Sequence, residues 1–110
     1  MENFHGIEHV IRGVRELKFP GRFYSKQKIV SGNIKKAEFT LLASKEVDDY
    51  AEEGRHLVPA QLAGQGFVPW LDLGTFNAII DNKLENSPNA TVDALIDAIF
   101  YYLEYDDFMD

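Results

Sequence analysis

The chain has no cysteine among its 110 residues, which removes disulfide frameworks, thiolate nucleophiles and thiolate zinc sites in one step. It has four prolines and one tryptophan, no low-complexity stretch and no internal repeat. No apolar run approaches the roughly 18–20 residues that a membrane-spanning helix needs. The opening MENFHGIEHVIRG lacks a basic segment followed by an apolar one, so it does not read as a secretory signal and a cytoplasmic protein is expected. Positive charge is also in short supply. Eleven Lys and Arg face 18 Asp and Glu, for a net charge of −7, the opposite of the basic footprint of a nucleic-acid binder. What remains is ordinary globular composition, 45% hydrophobic and 26% charged, at a length that suits a single domain over residues 1–110.

The charge is divided along the chain. Residues 1–45 carry nine basic side chains and four acids, a net +5, whereas residues 46–110 carry only Arg55 and Lys83 against fourteen acids, a net −12. A patch of one sign steers partners of the other, so this polarity bears on function.

Hydrophobic spacing predicts an amphipathic helix within Phe4–Leu17, with Ile7, Val10, Ile11, Val14 and Leu17 on one face. Gly13 should weaken it by about 1 kcal/mol relative to alanine. After Pro20-Gly21 the pattern turns strand-like, with Phe23-Tyr24 and Ile29-Val30 as short extended pieces and Ser31-Gly32-Asn33 as a turn. Residues 37–43 (AEFTLLA) are the best strand candidate. Lys26, Lys28, Lys35 and Lys36 flank these pieces, suited equally to blunting a sheet edge or to binding. Glu46–Leu57 reads as either an exposed strand with an acidic turn or a loop, and Pro59 then opens a short helical turn. Asp72 is placed to cap a helix whose inner face holds Phe76, Ile79, Ile80 and Leu84. Thr91 is placed to cap a last helix with an apolar stripe of Val92, Leu95, Ile96, Ile99, Phe100 and Leu103. The expected fold is α+β: a small, mostly antiparallel sheet of two to four strands packed with about three helices.

Catalytic patterns are weak. His5 and His9, four apart on the expected helix, have no evident third ligand for a zinc site, so no metal is expected. None of the four serines sits in a Gly-x-Ser-x-Gly turn. The pairs Glu52-Glu53 and Asp106-Asp107 suit a solvated face better than an acid–base couple. An enzyme would need a pocket uniting His56 with Glu52 or Glu53. No catalytic residue and no cofactor are therefore expected.

The outer face of the last helix is the most informative feature. Asp93, Asp97, Tyr101 and Glu104 fall at steps of 4, 8 and 11, opposite the apolar stripe. Tyr105 adjoins them, and Asp106, Asp107 and Asp110 carry the negative charge past the helix end. Acids at a helix C-terminus oppose its dipole, so stability alone would not favour them. Tyrosines add rigid contact area with a hydrogen-bonding tip. Asp93, Asp97, Tyr101, Glu104, Tyr105, Asp106 and Asp107 are therefore the expected partner contacts, with the acidic Glu46–Glu53 segment second. Such a face suits a basic protein surface, with carboxylates standing where nucleic-acid phosphates would lie.

Three stretches carry a family likeness. Residues 67–80 (FVPWLDLGTFNAII), with 89–91 (NAT) and 98–108 (AIFYYLEYDDF), resemble small bacterial immunity proteins encoded beside polymorphic or contact-dependent growth-inhibition toxins. The likeness covers roughly residues 67–108, and the chain departs from it in its charged 44–58 stretch and in Gly64-Gln65-Gly66. The resemblance implies a cytosolic antidote without catalysis that binds one cognate toxin; the acidic face suits a basic toxin such as a nuclease, and a monomer or weak homodimer is expected. It assigns no contact residues, because immunity proteins diversify where they touch their toxins. The rival expectation is a non-catalytic regulatory module docking on a cellular complex through the same acidic helix.

Overall fold

The strand pattern at residues 37–43 becomes β3 (Glu38–Ala43), an interior strand of a four-stranded antiparallel sheet in a computed structural model that describes residues 1–109. Its neighbours are β1 (Glu2–His5) on one side and β2 (Gly21–Ser25) on the other, and β6 (Val68–Asp72) pairs with β2 to give the order β1-β3-β2-β6. A separate hairpin joins β4 (Tyr50–Glu53) to β5 (His56–Pro59). Among the described residues three α-helices complete the fold: α1 (Ile7–Val14), α2 (Leu73–Asn86) and α3 (Val92–Tyr105). The α+β architecture with a small antiparallel sheet is thus as expected.

Alternation assigns each strand residue to a face. Phe4 pairs with Phe39, and Phe23 with Leu41, on the inner face, where they join one continuous core with Ile7, Val10, Phe76, Ile80 and Ile99. Phe23, Phe39, Trp70 and Phe76 form an aromatic cluster with ring centroids 5.0–6.5 Å apart, in edge-on and tilted arrangements that suit aromatic quadrupoles. Trp70 and its successor Leu71 both reach this core because the β2–β6 register shifts between Arg22 and Tyr24. Pro69 is tolerated in β6 because that strand lies at the sheet edge.

The caps are local and match the spacing. Asp72 accepts from the Thr75 N–H at 2.8 Å at the start of α2, and Thr91 accepts from the Ala94 N–H at 3.2 Å at the start of α3. Buried Asn77 ties α2 to the end of α1 by donating from Nδ2 to the Val14 carbonyl at 2.9 Å.

Several expectations need correction. Phe4 and His5 lie in a strand, not in the first helix, which starts at Ile7. Gly6 makes the break: its φ of +82° is left-handed, and its N–H donates to the Ala37 carbonyl at 2.7 Å. Ile29-Val30 is not a strand. Asn33 holds it as a loop, accepting from the Val30 N–H through Oδ1 and donating to the Lys28 carbonyl through Nδ2. The lysines between β2 and β3 guard no edge, since both strands are interior. Leu103 is not buried either. The covered stripe of α3 ends at Ile99, so Phe100 and Tyr102 are half-buried and Leu103 is open.

Candidate functional site

Burying Leu95, Ile96, Ala98 and Ile99 fixes the rotation of α3 and turns Asp93, Asp97 and Glu104 to solvent. Tyr101 is half-buried and Tyr105 is 59% exposed, and their rings lie 4.6 Å apart in a tilted stack one helical turn apart. That contact limits the freedom of both rings, so presenting them to a partner costs less ordering entropy.

Past the last turn the chain reverses at Asp106, whose φ of +55° is the left-handed conformation that Asp adopts more readily than most residues. Its N–H donates to the Tyr102 carbonyl at 2.8 Å, closing the helix, and Asp107 Oδ1 accepts from the Phe108 N–H at 2.8 Å. Phe108 packs 5.3 Å from the Tyr102 ring, and Asn82 Nδ2 donates to the Met109 carbonyl at 3.2 Å. The acidic end is therefore held against α2. Asp110 lies outside the described residues.

The electrostatics of the face are uneven. Asp93 pairs with Lys35 at 2.6 Å, which takes it out of the free negative charge. Asp97, Glu104, Asp106 and Asp107 have no ion-pair partner among the described residues. Of seven exposed large hydrophobic side chains among the described residues, three (Leu103, Tyr105 and Phe108) lie at this end of α3, so the acids surround an apolar centre. Leu103 and Phe108 had no sequence signal, because exposure of an apolar residue is set by where its neighbours stop.

The second acidic segment is organised differently. Glu46 accepts from the Ala43 N–H and from the terminal ammonium of Met1, which hold its carboxyl below the ordinary value; the bond to the terminus is the larger cause. Glu53 accepts from the Gly64 N–H at 2.8 Å, and Asp49 from the Tyr50 N–H at 2.9 Å. These carboxylates serve the local fold. His56 and Glu52 are exposed on the hairpin, where Glu53 is opposite His56. His5 and His9 are joined by a hydrogen bond from the His5 N–H to His9 Nδ1 at 3.1 Å, a strand-to-helix contact. Among the described residues no three His, Asp or Glu side chains come together as a metal site would require, and no helix is long and apolar enough to cross a membrane.

Residues 5–110 match the family model described as Domain of unknown function (DUF7716), and the chain belongs to that family. No curated protein and no solved structure matches the chain.

Proposed function

We propose that this DUF7716 domain is an immunity protein that neutralises a cognate bacterial toxin by stoichiometric binding, without chemistry of its own. The C-terminal end of α3 docks on a basic surface of the toxin, such as the substrate cleft of a nuclease. The observation that carries the reading is the stacked Tyr101–Tyr105 pair set beside Asp97, Glu104, Asp106 and Asp107, which have no ion-pair partner among the described residues. Carboxylates of this kind raise the rate of encounter with a basic partner, and exposed aromatic rings slow dissociation once docked. Leu103 and Phe108 supply the apolar area that a purely solubilising face would not carry.

Co-expression with the product of the adjacent gene tests this directly. A one-to-one complex that relieves growth inhibition is expected, and the double reversal Asp97→Lys with Glu104→Lys should weaken it about 100-fold or more. Tyr105→Ala should cost about tenfold, mainly through faster dissociation. Absence of a complex, or affinity unchanged by the double reversal in a folded variant, would overturn the reading.

A further inference from the structure

The outer face of the four-stranded sheet is covered by a small cluster only, in which Tyr24, Leu42 and Leu62 are buried and Val47 and Phe67 pack beside them. The β4–β5 hairpin stands off this face, leaving a cleft of about 760 Å³ bounded by the sheet, the hairpin and the α1–β2 loop. That volume falls within the range of small-molecule sites. Tyr24 and Leu42 line it from the sheet, Phe19 from the loop, and Tyr50 and Leu57 from the hairpin. Tyr50 and Leu57 are 48% and 57% exposed, a poor use of large side chains unless something covers them.

The polar lining is selective. Lys18 and Arg22 are its cations and Asp72 its one acid. Asp72 is already engaged, accepting from both the N–H and the hydroxyl of Thr75 at 2.8 Å. Arg22 donates from Nη1 to the Trp70 carbonyl at 2.6 Å, which anchors the guanidinium while leaving its other donors for a ligand. The cleft thus has a positive surplus in a chain whose net charge is −7. The Tyr24 hydroxyl, held above its usual 10.0 chiefly by burial and then by the neighbouring Tyr50, remains a donor at neutral pH.

We propose that this cleft binds a small aromatic carboxylate, with the ring against Tyr24, Tyr50 and Leu57 and the carboxylate on Lys18 and Arg22. A neutral ligand of the same shape would leave two cations facing it unpaired, and a cationic one would be repelled. The cleft adjoins the acidic end of α3, since Arg22, Pro69 and Asp72 also line a neighbouring cavity with Tyr102, Leu103 and Asp106, but the proposal does not rest on toxin binding there.

The test is a titration of the full chain, labelled with ¹⁵N, against indole-3-acetate, indole-3-acetamide and tryptamine. Indole-3-acetate should give saturable shifts centred on Tyr24, Tyr50 and Leu57, with the amide and the amine at least about tenfold weaker. Lys18→Glu, at an exposed position, should weaken indole-3-acetate about tenfold while the spectrum stays dispersed, and Asp97→Lys should leave it unchanged. Equal binding of the three probes, shifts centred elsewhere, or no saturable shift at millimolar indole-3-acetate would overturn the proposal.

Discussion

Alternate residues of the same strands lead two different lives. Phe23 and Leu41 point inward to the helix-covered core, while their neighbours Tyr24 and Leu42 point outward to the hairpin and to the 3₁₀ turn Ala60–Leu62. The inner face is filled by a large continuous core, and Phe23 and Phe39 are fully buried. The outer face accepts polar residues, including Thr40, which donates to Asn3 Oδ1 at 2.8 Å. It also keeps an open cleft. One face supplies most of the cohesion, which leaves the other free to be shaped for binding.

The comparison can be broken by substitution. Phe39→Ala should have the largest effect, about 4 kcal/mol, because it removes a ring between Phe23 and Trp70 and leaves a cavity that the sheet cannot close. Leu42→Ala on the outer face should cost about 2 kcal/mol, since the small cluster around it can settle. Both are read from urea unfolding, and equal losses would show that the two faces contribute alike.

Gly13→Ala sharpens the contrast between local and tertiary preference. Helix propensity alone favours alanine by about 1 kcal/mol. A methyl group there would lie 2.6 Å from Cε1 of Phe4, a buried ring of β1, so that ring would have to shift within the core. The expected outcome is a loss of about 1 kcal/mol, so the sign is the test, and a more stable variant would show that β1 can yield.

The smallest effect concerns pH. Glu46 lies on the outer side, and its lowered folded-state pKa means that its contribution is present above the unfolded-state value and is lost as pH falls through the folded one. Stability measured downward from about pH 4.5 should therefore decline less in Glu46→Gln than in the parent chain. Parallel curves would remove Glu46 from the acid response.

Much of this architecture is legible in local spacing. Asp72 and Thr91 mark the starts of α2 and α3 because a cap needs only a side-chain oxygen and an N–H three residues on. The acidic stripe on α3 is legible for a similar reason, since residues four apart on a helix share a face. Strand β1 is not legible: Glu2–His5 has four residues and no periodicity, and is a strand because β3 offers it a partner. The β4–β5 hairpin stays ambiguous in sequence because both strands leave acidic or polar residues in solvent, so no apolar alternation announces them. The strand at Val68–Asp72 is obscured by Pro69, whose presence is acceptable only at an edge.

The sequence by itself determined the α+β class, the caps, the strand at β3 and the sign of charge on each half, because these follow from interactions within a few residues. Only the tertiary structure decided how those halves meet. Lys35 from the basic half neutralises Asp93 in the acidic half, and Arg15 likewise pairs with Asp81, across separations that spacing rules do not reach. It also decided that Gly13 must make room for Phe4, that Leu103 lies open and that a positive cleft exists on a negative protein. The physical reason is common to all of these. Burial, pairing and steric room depend on which distant residues the fold brings alongside, and the local sequence carries no record of them.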